Sequence, residues 1–145
     1  MAKGDLPGTL ADLRQYCELD SKDSGHSHLY IWLVQNQQSH KGEADQELTA
    51  YLAGIPGDWI SKEAAMLLGK INEADFLAAV TSSDPQQDQN QHCEAWYFAG
   101  MKRLLAGDKG TAADYFRKCL ATGQKNLTEY MLADAELKLL IAQAP

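Results

Sequence analysis

Cys93–Leu120 reads CEAWYFAGMKRLLAGDKGTAADYFRKCL, and the sizes of five of its side chains decide the fold. Apolar residues recur at spacings of three and four on both sides of Gly107, so the segment reads as two helices. Gly107 tolerates the left-handed backbone that ends a helix and is expected to end the first one. Trp96 is then expected to fill the gap between the antiparallel pair, and Gly100 to let their backbones approach. Ala112 and Phe116 are expected to pack back onto the first helix.

The same periodicity runs through almost the whole chain, and alternating β-branched runs are absent, so the fold class is all-α. Ala44 and Leu48 lie 68 residues before Ala112 and Phe116, which predicts an earlier hairpin in phase with the later one. Its helices are expected from His26 to Ser39 and from Glu43 to Ala53, with Lys41 and Gly42 as the turn. Trp32 stands where Gly100 does, and His28 where Trp96 does, so bulk is exchanged between neighbouring positions. Between the hairpins a shortened pair is expected, Asp58 to Leu68 and Asn72 to Thr81, with Gly69 as the stop. The polar run SSDPQQDQNQ reads as an exposed loop, because Asp84-Pro85 blocks helix continuation. At the start, Gly4 is a turn before a helix whose Leu6, Leu10, Leu13 and Cys17 form one apolar stripe. At the end, Asn126 with Glu129 three residues later marks the start of a closing helix. The expected organisation is one helical domain: residues 1–24 a half repeat, 25–57 a repeat, 58–87 a degenerate repeat and loop, 88–125 the best repeat, and 126–145 a cap.

The positions of Trp96, Gly100, Gly107, Ala112 and Phe116 match one tetratricopeptide repeat (TPR), and the packing roles expected of them, like the in-phase hairpin expected 68 residues earlier, are what this resemblance implies, since 68 is twice that repeat's 34-residue period. Three positions depart from it: Arg103 replaces the repeat's Tyr, Cys119 its second small residue, and Gln124 its closing Pro. The resemblance implies a right-handed solenoid of antiparallel helix hairpins with a C-terminal capping helix, used to hold other polypeptides. It places the concave, ligand-facing surface at His26, Leu29, Leu33, Asn36 and Gln37 in the earlier hairpin. In the later one it falls at Glu94, Tyr97, Met101, Leu104 and Leu105. The Lys and Asn pair with which some TPRs clamp a C-terminal carboxylate is not at these positions, so an apolar or amphipathic peptide is the expected ligand. From Trp59 and Leu68-Gly69-Lys70-Ile71-Asn72-Glu73 through Trp96 to Gly100, Leu105 to Asp108, Thr122-Gly123 and Asn126 to Leu140, the chain also resembles NlpI-like TPR lipoproteins of Gram-negative bacteria. That similarity implies an adaptor, often dimeric, that docks proteases or cell-wall hydrolases at the outer membrane. No lipobox cysteine or signal peptide is present, so membrane anchoring is not carried over.

Length and composition bound these readings. The 145 residues, 45% apolar, suffice for one domain with a core. A net charge of -7 without a basic stripe argues against a nucleic-acid partner. No run is apolar enough for a membrane span, and MAKGDLPG lacks the apolar run of a secretory signal. The sequence is therefore expected to be cytoplasmic, or periplasmic or outer-membrane-associated if a leader and lipid anchor were removed. Cys17, Cys93 and Cys119 cannot all pair within one chain and form no CxxC, which favours buried structural thiols in a reducing compartment.

Chemistry is hard to find. His26 and His28 are two apart on a helix and point to different faces, and His92 beside Cys93 is no better spaced, so no metal is expected. AGDKG at 106–110 lacks the length and the Ser or Thr of a phosphate loop, and no Ser, Cys or Asp has a nucleophile-elbow context. Asn126-Leu127-Thr128 matches a glycosylation sequon but also suits a helix start. The expected function is a non-catalytic protein–protein interaction scaffold without cofactors. The alternatives are a self-associating fragment of a larger TPR protein and a small-molecule-binding domain. Tyr16 and Leu19 widen the apolar stripe of the first helix, which leads to an expected homodimer through it.

Overall fold

Side-chain caps set where most of the helices begin. Asp58 accepts from the Ser61 backbone N–H at 3.1 Å, Asn72 from Asp75 at 2.7 Å, and Asp108 from Thr111 at 3.1 Å. Asp5 does the same for Gly8 at 3.0 Å. Each satisfies a backbone donor that the first helical turn leaves without a partner. The computed structural model describes residues 5–20 and 25–145, and among these the chain is all-α with no strand. Its helices are α1 (Leu6–Leu19), α2 (Gly25–Gln37), α3 (Lys41–Ala53), α4 (Trp59–Leu67), α5 (Glu73–Ala78), α6 (Pro85–Leu105), α7 (Lys109–Ala121) and α8 (Thr128–Gln143). The turn expected at Gly4 lies outside the described residues.

The polar run after Ser82 corrects the sequence reading. Most of it is helix rather than loop, because Asp84 accepts from the N–H groups of Gln86 and Gln87 at 2.9 and 3.0 Å and Pro85 takes the first helical position. Proline lacks only an N–H that has no helical partner there, so Asp-Pro starts the 21-residue α6 instead of blocking it.

The second correction concerns the turn of the earlier hairpin. Lys41 and Gly42 belong to the first turn of α3, and the corner is made by Ser39 at φ 64, the one non-glycine with positive φ among the described residues. Gly107 at φ 84 makes the corner between α6 and α7. Ser39 and Gly107 are 68 residues apart, and the hydrogen bonds around them repeat. Ser39 N–H donates to Asn36 O at 3.0 Å and His40 N–H to Gln35 O at 2.8 Å, while Gly107 donates to Leu104 O and Asp108 to Arg103 O, both at 3.0 Å. The helix bounds coincide at the same offset: α2 and α6 end at Gln37 and Leu105, and α3 and α7 span Lys41–Ala53 and Lys109–Ala121. Gly69, at φ 74, closes α4 with a bond pattern of the same kind.

The chain divides into two compact units, one ending at Ile71 and the other beginning at Asn72. The stretch expected as one degenerate repeat is split between them. In the first unit α2 packs against α1, α3 and α4; in the second α6 packs against α5, α7 and α8. Ala44 and Leu48 are buried in the first unit, and Ala112 and Phe116 in the second. The bulk exchange between hairpins is resolved locally. Trp32, buried where the later hairpin has glycine, donates its indole N–H to Asp45 at 2.8 Å, and His28 stacks on Tyr51 with ring centroids 3.8 Å apart. Burial holds the His28 imidazole below its ordinary pKa, and the Glu47 carboxylate only partly offsets this. On α1 the stripe of Leu6, Leu10, Leu13 and Cys17 is half-buried, whereas Tyr16 and Leu19 beside it are 44% and 79% exposed.

Candidate functional site

The later hairpin is built around an absence of side chain. A Cβ on Gly100 would lie 2.6 Å from Cε1 of Phe116, so the glycine is what admits the ring of α7 to the backbone of α6. Phe116 is fully buried and sits 6.3 Å, centroid to centroid, from the equally buried Tyr97. This contact fixes which residues of α6 and α7 face each other along the rest of the hairpin.

One consequence is an open cleft of about 360 Å³ between the two helices, lined by Asp88, Gln89, His92 and Trp96 from α6 and by Lys118, Ala121 and Thr122 at the end of α7. Trp96 is half-buried, with Tyr115 tilted against it at 5.1 Å and the Lys118 ammonium 4.5 Å from its ring centroid. The cation over the ring is an attractive arrangement that also holds a positive charge at the cleft. On the opposite flank the His92 Nδ1–H donates to the Asp88 carbonyl at 2.8 Å, and its ring lies 3.5 Å from the Asp88 carboxylate. The cleft therefore offers an aromatic face, a cation, an imidazole and a carboxylate within two helical turns of each other.

A second polar group braces the same hairpin. The Glu73 carboxylate, at the start of α5, accepts from Arg103 Nε at 2.9 Å, from Arg103 Nη2 at 2.9 Å and from the Tyr115 hydroxyl at 2.6 Å. Burial by itself would raise the Glu73 pKa, but the bonds from Arg103 and Tyr115 outweigh it and hold the carboxyl below its ordinary range. Arg103 thus ties α5 to α6.

Beneath the cleft lie two thiols. Cys93 Sγ and Cys119 Sγ are 3.4 Å apart, and both residues are fully buried. The contact with Cys119 is the largest influence on Cys93 and lowers its pKa, while the same pairing and burial push the Cys119 thiol up. Buried Tyr97 has its hydroxyl pKa raised, first by burial and then by the charges of Glu129 and Cys119.

The residues proposed for a concave face do not share one fate. Leu29, Leu33, Tyr97 and Met101 have 0% exposure, so in this conformation they are core and unavailable to a ligand. Their helices turn these apolar positions inward for the same reason that made them conspicuous in the sequence: burial is where they gain most. Glu94 is nearly buried at 9% exposure. His26, Asn36 and Gln37 are half-buried. His26 Nε2 lies 3.5 Å from the buried Glu63 carboxylate, and Asn36 spends its amide on the Trp32 carbonyl at 2.8 Å. Of the residues given structural roles, Gly100, Ala112 and Phe116 are buried at the helix contact, Gly107 makes the corner, and Trp96 is a cleft wall as well as a spacer. Asp88, Gln89 and Lys118 carried no sequence signal, and Thr122 only that of the family resemblance; the register of α6 against α7 brings them together. No protein-family model and no solved structure matches this chain.

Proposed function

We propose that this chain is a non-catalytic scaffold built from TPR-type hairpins that holds a protein or peptide segment in the α6–α7 cleft. The observation that carries this reading is the recurrence of one helix–corner–helix unit at a 68-residue offset, with the same helix ends and the same left-handed corner at Ser39 and Gly107. Supporting it is the exposure pattern: the conspicuous apolar residues of α6 are core, while Trp96, His92 and Lys118 are presented at the cleft. A partly exposed indole flanked by charges of both signs suits an amphipathic peptide, whose apolar side chain would cover the ring while its polar groups meet Lys118 and Asp88.

Peptides selected from a random displayed library against the full chain test this, with affinities measured by calorimetry. Trp96→Ala and the surface change Lys118→Glu are each expected to weaken binding by about tenfold or more, as anchor residues do. Lys118→Glu should lower the melting midpoint by only a few degrees, since the exposed cation–ring contact is worth about 0.5–1 kcal/mol. Peptides that bind both variants as tightly as the parent chain would refute the cleft, and failure to select any peptide would refute the scaffold reading.

A further inference from the structure

We propose that Cys93 and Cys119 are a redox-responsive pair that a peroxide closes into a disulfide, stapling α6 to α7 beneath the cleft. The sulfurs lie 3.4 Å apart and belong to adjacent antiparallel helices, so closing the bond requires an approach of little more than an ångström without a change of partner. Their juxtaposition is a property of the hairpin register. The equivalent positions 68 residues earlier are Gly25 and Tyr51, and a Cβ on Gly25 would lie 3.3 Å from the Tyr51 hydroxyl. The register thus brings these two positions together in both hairpins, and only in the later one do both carry sulfur.

The environment gives the two thiols different parts. Cys93 is the thiol held below its ordinary pKa, and its contact with the Cys119 sulfur at 3.4 Å is the largest cause. Cys119 donates its S–H to the Glu129 carbonyl at 3.8 Å and has its pKa raised, so it is the sulfur that keeps its proton. Cys93 is accordingly the attacking sulfur and Cys119 the resolving one. Both are covered, and Thr122 and His92, the neighbour of Cys93, line the open cleft, which is the side from which a small oxidant would reach them.

The step balances with one peroxide. The Cys93 thiolate attacks one peroxide oxygen, the S–O bond forms as the O–O bond breaks, and the departing hydroxide takes a proton and leaves as water. The Cys119 sulfur then displaces the sulfenic oxygen, which leaves as a second water while the S–S bond forms. Two thiols have lost two electrons, and the peroxide has gained them. A dithiol reductant reverses the change by exchange. This inference does not depend on what the cleft binds.

The test uses the 145-residue chain carrying Cys17→Ser, which removes the third thiol. The folded protein is treated with a few equivalents of hydrogen peroxide, unfolded in the presence of an alkylating agent, and analysed by mass spectrometry. The expected product has lost two hydrogens, accepts no alkyl group and yields a linked Cys93–Cys119 peptide. Its melting midpoint is expected to rise by about 5–10 °C and to fall back on addition of dithiothreitol, with no rise in a chain that also carries Cys119→Ser. Recovery of both thiols as alkylated residues, Cys93 as a terminal sulfinic acid, or linkage only between molecules would overturn the pairing. A linked product whose midpoint does not rise would overturn the stapling.

Discussion

Adding one methyl group at Gly100 should destabilise this protein even though it replaces the poorest non-proline helix former with the best. Inside a helix, glycine to alanine gains about 1 kcal/mol. At Gly100 the new Cβ would sit 2.6 Å from Cε1 and 2.9 Å from Cδ1 of Phe116, well inside van der Waals contact, and the fully buried ring cannot swing toward solvent. Overpacking of this kind costs about 1–3 kcal/mol. Taking the middle of that range, Gly100→Ala should lower stability by about 1 kcal/mol net, which urea denaturation followed by helical circular dichroism resolves. The same change in a Phe116→Leu background removes the ring it collides with, so there it should stabilise by about 1 kcal/mol, a coupling of about 2 kcal/mol between the two positions. Gly42→Ala, in the first turn of α3 with no atom within 4 Å of its added Cβ, is the control and should be neutral or stabilising by about 0.5 kcal/mol. If Gly100→Ala stabilises equally in both backgrounds, Phe116 does not abut Gly100, and the hairpin contact on which the cleft depends is wrong.

Ser39→Gly should stabilise the earlier hairpin by about 0.5–1 kcal/mol, because the left-handed corner strains any residue with a Cβ, and Gly107→Ala should cost about as much; melts in which both changes are silent would remove the shared corner. Glu73→Gln should cost about 1 kcal/mol near pH 7, given bonds from a partly exposed guanidinium. The Glu73 pKa is lowered in the fold, so its contribution is complete above its ordinary value of 4.5 and is lost as the pH falls through the lower folded value. The wild-type and Glu73→Gln stabilities should therefore converge as the pH falls below 4.5, and a difference that stays constant down to pH 3 would show that the carboxylate's charge is not what holds Arg103.

Much of the second hairpin was legible because its signals are steric and local. Gly107 ends a helix whether or not anything packs on it, and Gly100 with Phe116 are complementary in size at a distance that two helices of known geometry dictate. The earlier corner was not legible, because the residue that bends there is a serine while a glycine three positions later, Gly42, offers a conformational freedom the chain does not use. Asp84-Pro85 failed for a related reason: proline interrupts a helix or opens one, and only the side chain before it distinguishes the two. Burial defeated the choice of ligand-facing residues, since Tyr97 and Met101 are attractive for recognition by the same apolar surface that draws them into the core. The cleft and the thiol pair depend on residues 26 or more positions apart, such as His92 and Lys118 or Cys93 and Cys119, which meet only once the pitch and offset of two helices are known.

Each of the two hairpins turns its corner within three residues, 38–40 and 106–108, and most of what its helices touch lies close by in sequence. Closing so short a loop sacrifices little chain entropy, and the contacts it enables form at once rather than after a distant strand has been found. A chain organised in this way can assemble piecemeal as it leaves the ribosome, with the hairpin around Ser39 complete before the residues of the second have been synthesised. Its corners then serve as folding nuclei as well as joints, and a residue that spoils one would be felt first in the speed of folding.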